Sequence, residues 1–360
     1  MRKKAYFKSV TIFLSILLVF SQLQLFSLPA YGETVSDQPL LFRSVGVAQN
    51  GTTYYVDGEG GNNANDGQSP ASAWRDFEKV NQTEFQPGDH LLLNAQSTWN
   101  NQLLHPKGNG TAAQKIVIDF YDTNDKGETI FETTRRPIIN GGGTYSTGTF
   151  KRAISGAVQL VNQEYWDISN LEVTNTPELD NLEGYKKPGD AQRAGILVLG
   201  YEQNRTFNSV TIRNNYVHDV QTEYYLNLSG NTATKRLKAV GGIIVLGSWF
   251  DENGNVVTAA NDHRTTIGFN DILIENNVIQ RVGLEGIRTK ADSDTSRGNT
   301  FYKTFSNITI RNNYLEDIAG DGIVLSESKS GGVVEGNVAV RMCNADYGTQ
   351  NYAGVWAMSV

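Results

Sequence analysis

One phrase recurs through the second half of this chain. VTIRNNYVHDV from Val210, ILIENNVIQRV from Ile272, ITIRNNYLEDI from Ile308 and GVVEGNVAVRM from Gly332 share alternating apolar residues, a fixed Asn or Gly-Asn and a second short apolar run. A second phrase interleaves with it: AGILVL from Ala194, GGIIVL from Gly241, EGIRTK from Glu285, DGIVLS from Asp321 and AGVWAM from Ala353. Strand phrases that repeat as a set describe stacked supersecondary units, each of which buries its apolar face only against its neighbours. In the first phrase Val210 and Ile212 point one way while Thr211 and Arg213 point the other. Asn214–Asn215, Asn276–Asn277, Asn312–Asn313 and Gly336–Asn337 mark a corner, because Asn and Gly tolerate the left-handed backbone of a sharp turn. Their side chains are placed to hydrogen-bond from coil to coil. The strands that follow the corner are Tyr216–Val220, Val278–Val282 and Tyr314–Ile318.

Three strands per turn in constant order predict an all-β fold, a right-handed parallel β-helix. An antiparallel sandwich would need hairpin turns of two to five residues between neighbours and would not repeat a three-part phrase. Upstream, Tyr165–Thr176 reads as a looser coil, and Ile116–Phe120 and Pro137–Asn140 as first strands. Residues Pro70 to Asn81 read as a short amphipathic helix with Trp74, Phe77 and Val80 on one side, a cap for the N-terminal end of the stack.

The first 32 residues read as an export signal. Arg2, Lys3 and Lys4 precede an apolar run from Val10 to Phe20, and Ala30 and Gly32 are spaced for cleavage. The run is short for a membrane span. Residues 33–52 are then a linker and 53–360 one β-helix domain. The phrase AGVWAMSV, at which the sequence stops, suggests a piece of a longer β-helix. Cys343 is the single cysteine, so packing and hydrogen bonds must supply the stability. A net charge of −7 with no basic run argues against a nucleic-acid partner. These features predict a secreted, monomeric protein.

From Thr53 on, the chain resembles the secreted bacterial right-handed β-helix proteins of the pectate-lyase-like superfamily. YYVDGEGGNNANDGQSPASAW from Tyr54 and FQPGDHLLL from Phe85 look like the entry segment of such proteins. The resemblance implies the fold and a carbohydrate-active role. That superfamily holds lyases, hydrolases, epimerases and non-enzymatic surface proteins.

The strands of the second phrase border the long insertions, which is where sites tend to be built. Aligned on their glycines, they put Ile196, Ile243, Ile287, Ile323 and Val355 inward. Leu197, Ile244, Arg288, Val324 and Trp356 point outward, as do Leu199, Leu246, Lys290, Ser326 and Met358. Only the coils at Glu285 and Asp321 are polar on that outer face. The expectation drawn from this is a polysaccharide lyase on an acidic, uronate-containing polymer. Arg288 would fork a substrate carboxylate and Lys290 would abstract the neighbouring proton. Asp292, Asp294 and Asp321 would hold Ca²⁺, with Glu327 just beyond, and Ser326 and Trp356 would touch sugar. A second enzyme reading makes Glu285 and Asp321 the paired carboxyls of a glycoside hydrolase. A third is a non-catalytic glycan-binding surface protein, with the charges as a salt-bridge patch. His218 and Asp219 read as structural, and Asp57 to Asp66 as a turn cluster rather than a cation site.

Overall fold

The computed structural model describes residues 41–142, 154–176, 192–220, 240–248, 251, 267–291, 304–343 and 353–358. The expected export signal, Asp292 and Asp294 lie outside them. Most described elements are strands, and they fall into three main sheets. Sheet one runs from Thr53–Val56 through Ile116–Thr123, Trp166–Ser169, Thr206–Arg213 and Gly268–Glu275 to Phe305–Arg311 and its neighbours Ser328–Ser330 and Val333–Glu335. Sheet two runs from Thr98–Asn100 to Val338–Met342, and sheet three from Ile154–Val161 to Val355–Met358. Within all three, neighbouring strands are parallel and come from successive repeats. The chain visits sheets one, two and three in turn, as the interleaved phrases require.

The inward column is the one the alternation predicts. Ile196 pairs with Ile243, Ile243 with Ile287, Ile287 with Ile323 and Ile323 with Val355. The first four are buried in one core with Val210, Ile272, Ile308 and the rings of Phe207, Phe269 and Phe305, which meet tilted and then edge-on.

The corners explain the Asn pairs, and the two members do different jobs. Asn214, Asn276, Asn312 and Gly336 take the left-handed backbone, with φ of 57°, 55°, 55° and 62°. Asn215, Asn277, Asn313 and Asn337 turn inward and form a ladder. The Oδ1 of Asn277 accepts from the backbone N–H of Asn215 at 3.0 Å, that of Asn313 from Asn277 at 2.9 Å, and that of Asn337 from Asn313 at 2.9 Å. Each ladder amide thereby satisfies a backbone donor that the corner removes from the sheet.

At the N-terminal end the expected single helix is two pieces, a 3₁₀ turn at Pro70–Ser72 and an α-helix at Phe77–Gln82. The break has local causes. Trp74 pairs with Val56 as an isolated bridge, and its indole N–H donates to the carbonyl of Asn65 at 3.0 Å. Asp76 then restarts the helix by capping the N–H of Glu78. Phe77 and Val80 are buried in the main core beside Trp74.

Upstream of the first coil, residues 41–49 are strapped onto the outside of sheet one. The N–H of Val45 donates to Asp119 at 2.9 Å, the amide of Asn170 to the carbonyl of Arg43 at 3.0 Å, and Arg136 lies over the Phe42 ring. His90 holds the same strap through Nδ1 and the carbonyl of Gly46, 2.7 Å apart. Asp57 and Asp66 accept backbone N–H groups within their own turns, as expected of a turn cluster. No described helix is long and apolar enough to cross a membrane.

Candidate functional site

Sheet three carries the candidate site because its outer face changes character along the stack. Leu197 pairs with Ile244, and Leu199 with Leu246. These four cluster with Ile154 and Ala194 and are buried, so the two columns are hydrocarbon at these strands, after Gln159 opposite Leu197 one coil earlier and with Arg193 buried on the same sheet. On the next strand, Glu285–Ala291, Arg288 occupies the column of Ile244 and Lys290 that of Leu246. The chemistry therefore begins at one step of the stack, about 4.8 Å along it.

Three of the residues singled out from sequence meet there. Nη1 of Arg288 donates to Oε1 of Glu285 and lies 3.9 Å from Oδ2 of Asp321, on the following coil. Asp321 also accepts the backbone N–H of Ala353 through Oδ1 at 2.6 Å. Glu285, Arg288 and Asp321 are only 2%, 4% and 5% exposed. A solvated patch of exposed ion pairs does not fit these values. A buried ion group is retained only with close geometry, since each charge loses several kcal/mol of hydration. Both carboxylates flank one guanidinium nitrogen, so their nearest oxygens are no more than roughly 6 Å apart, within the range of glycosidase carboxyl pairs.

The remaining candidates are placed differently. Arg288, given to a substrate carboxylate in the sequence reading, has its fork turned to Glu285. Ser326, aligned outward beside Lys290, is fully buried like most of that face, its N–H donating to Oγ1 of Thr289 at 3.0 Å and its hydroxyl to the Thr289 carbonyl, so it links two strands. Ile287 pairs with Ile323, Arg288 with Val324 and Ser326 with Met358, the register that alignment on the glycines gives. Trp356 continues the outward column, opposite Val324, and is half-buried.

Glu327 is the residue whose setting the sequence did not disclose. It takes a left-handed backbone, φ 55°, which costs a residue with a Cβ on the order of 1 kcal/mol. Its carboxylate accepts the N–H of Ala291 at 3.2 Å. Burial pushes its pKa up, opposed by a Ser326 hydrogen bond, the Ala291 N–H and the charges of Lys290 and Arg288. It follows the strand Ile323–Ser326, whereas Asp321 precedes it. Of the calcium set, Asp292 and Asp294 are outside the described residues, and Asp321 faces Arg288. Among the described residues no group of three or more His, Cys, Asp or Glu could hold a metal ion.

His218 and Asp219 lie on sheet two, away from this cluster. His218 bridges Asp219 at 2.5 Å and Glu172 at 3.1 Å, and Arg281 pairs with Asp219 at 2.7 Å.

No protein-family model matches the chain. Lacto-N-biosidase of Bifidobacterium longum subsp. longum is 27% identical over 359 residues, covering 86% of this chain and 22% of that protein. The solved GH136 lacto-N-biosidase from Eubacterium ramulus superposes with a TM-score of 0.56, at 23% identity over 78% of this chain and 45% of that one. Its selenomethionine derivative gives 0.50 at 18% identity, over 80% and 56%. These structures show a shared fold. The chain spans about a fifth of the curated relative and under half of the first solved structure. The relative is named for glycoside hydrolysis, and this overturns the lyase expectation. With β-elimination set aside, Lys290 as proton-abstracting base, Arg288 as uronate clamp and the acidic polymer lose their ground.

Proposed function

We propose that this chain belongs to a secreted glycoside hydrolase acting on glycans that carry a lacto-N-biose unit. The fold is then a right-handed parallel β-helix of three strands per coil, the hand that parallel crossovers adopt almost without exception. Glu285 and Asp321 are its carboxyl pair. The observation that carries the reading is their convergence on Arg288, at the coil where the outer face of sheet three turns from hydrocarbon to charge. The relative's activity supplies the reaction class, and the short carboxyl separation favours the retaining route. In that route one carboxyl protonates the departing glycosidic oxygen. The other attacks the anomeric carbon, and the glycosyl ester so formed is released by water, activated by the first. Arg288 holds both side chains toward one point and offsets their negative charge.

The test is hydrolysis of a chromogenic lacto-N-bioside by the chain. Glu285→Gln and Asp321→Asn should each lower kcat about a thousandfold. Glu275→Gln, on the outer face of sheet one, should leave it unchanged. Release of the sugar by both site variants at the wild-type rate would remove these residues from the reaction. Absence of any hydrolysis by the wild-type chain would count against the hydrolase reading itself.

A further inference from the structure

Sheet three changes its bonding at the seam between the two coils that carry Glu285 and Asp321. On one side of this seam, backbone pairing runs on through Val245–Thr289, Leu246–Lys290 and Gly247–Ala291. On the other side it runs through Leu325–Ala357 and Ser326–Met358. At the seam itself it stops after Ile287–Ile323 and Arg288–Val324. Side chains take the places that follow. In a continued parallel ladder the Thr289 carbonyl would accept the N–H of Ser326, and the Ser326 carbonyl that of Ala291. Instead Oγ1 of Thr289 accepts the Ser326 N–H at 3.0 Å and donates to the Ser326 carbonyl at 3.3 Å, while the Ser326 hydroxyl donates to the Thr289 carbonyl. The Ala291 N–H goes to the Glu327 carboxylate at 3.2 Å. Two hydroxyls and a carboxylate thus replace the ladder, starting at the residue after Arg288.

The residue types suit this bonding better than they suit packing. Thr289 is fully buried in the column of Val198 and Val245, where valine would fill the same volume. A hydroxyl in a hydrocarbon core is costly unless it is bonded, and here its bonds cross the seam. Glu327 is pinned from several sides. Its backbone is left-handed, φ 55°, its carboxylate holds Ala291, and its carbonyl accepts the N–H groups of Thr304 and Phe305, both at 3.1 Å. Strained residues that their surroundings over-determine cluster where geometry serves function.

We propose that Thr289, Ser326 and Glu327 are positioning residues which, by holding this seam open, aim Arg288 between Glu285 and Asp321. The role rests on the hydrolase reading of that carboxyl pair. Arg288 is the last residue of its strand paired by backbone to the Asp321 coil, so the course of the strand beyond it sets the guanidinium 3.9 Å from Asp321. Closing the ladder would draw Thr289 to Ala291 toward the Asp321 coil by about 1 Å, and a misplacement of that size at a site costs about a hundredfold in rate.

Thr289→Val and Thr289→Ser separate positioning from packing. Valine keeps the volume, removes the hydroxyl and lets the ladder close. Serine keeps the hydroxyl and loses a core methyl. On a chromogenic lacto-N-bioside, Thr289→Val should lower kcat about a hundredfold with KM changed less than about threefold, while its urea midpoint equals or exceeds that of the parent. Thr289→Ser should do the reverse, with a lower midpoint and kcat within about threefold of the parent. A crystal structure of Thr289→Val should show the Ser326 N–H on the backbone carbonyl of residue 289 and Nη1 of Arg288 displaced relative to Asp321. An unchanged kcat in Thr289→Val, an equal loss of kcat in both variants, or a closed ladder with Arg288 still in place would overturn the proposal. If the parent chain hydrolyses nothing, the hydrolase reading falls, and the place of Arg288 in the Thr289→Val crystal still decides whether the seam positions it.

Discussion

Replacing Asn277 with alanine tests whether the amide ladder holds the coils together. Asn277 is 1% exposed. Its Oδ1 accepts from the N–H and the side-chain amide of Asn215 at 3.0 and 3.1 Å. Its Nδ2 donates to the carbonyl of Ile212 at 2.9 Å and to Asn313 at 3.0 Å. Alanine leaves the buried N–H of Asn215 with no acceptor, at a cost of about 2 kcal/mol, and removes three further bonds worth roughly 0.5–1 kcal/mol each. The sum is about 4 kcal/mol, a large part of the stability of an ordinary domain. Asn337 is only half-buried, so Asn337→Ala removes analogous bonds where water reaches them and should cost about 1 kcal/mol. Urea unfolding followed by tryptophan fluorescence gives both numbers from the midpoint shift at constant slope. The double variant Asn277→Ala/Asn313→Ala should lose less than the sum of the singles, because the two share a bond. If Asn277→Ala and Asn337→Ala cost the same within 1 kcal/mol, the ladder is decoration and the apolar columns alone hold the stack.

Two pH-dependent effects follow from buried groups on the outer faces. Burial raises the pKa of Asp167 from 3.8 to about 6, with the Arg213 and Lys115 charges opposing and Asp119 adding to the rise; its Oδ1 has no hydrogen-bond partner. The folded state binds this proton more tightly than the unfolded one, so the stability it contributes is lost as pH climbs from about 4 to about 6. Asp167→Asn should therefore be more stable than the parent at pH 8, by about 3 kcal/mol, and lose that advantage by pH 4 in urea titrations. His218 behaves as a cation holder. Burial lowers its pKa, but hydrogen bonds to Glu172 and Asp219 outweigh that and leave it above 6.5. Its contribution is complete below pH 6.5 and disappears as pH rises through the raised value, so His218→Gln should cost more at pH 5 than at pH 9; equal losses would mean the imidazolium contacts do not matter.

Much of the fold can be read from the phrases because a parallel stack writes the same constraint on every coil. The apolar alternation placed Ile196, Ile243, Ile287 and Ile323 in one column without reference to anything distant. The doubled asparagines marked the corners, although only the structure separates the left-handed member from the laddered one. The N-terminal helix was half legible: its apolar side was right, but a tryptophan that pairs as a strand broke it. The site was legible as a cluster and misread as chemistry. Glu285, Arg288 and Asp321 could be brought together by counting residues from each glycine. Whether Arg288 faces a substrate or a neighbouring carboxylate depends on side-chain packing, which periodicity does not encode. Ser326 stays in its expected column opposite Met358, but its bonds to Thr289 are a matter of side-chain packing that periodicity does not encode either. Glu327 was placed just beyond the cluster, but its left-handed backbone was not legible, since that is expected of Asn or Gly and not of Glu.

On sheet one Arg213, Glu275, Arg311 and Glu335 follow one another in register, and Asp219, Arg281, Asp317 and Arg341 hold equivalent places on sheet two, so unlike charges alternate from coil to coil and set a rule of parity for how such a molecule can change length. Excising one coil, for example that of Glu275 and Arg281, would bring Arg213 over Arg311 and Asp219 over Asp317. Excising two neighbours would restore unlike contacts throughout. Insertions obey the same rule, so the heritable unit of growth in this part of the stack is the coil pair, although the hydrocarbon core alone would accept coils singly.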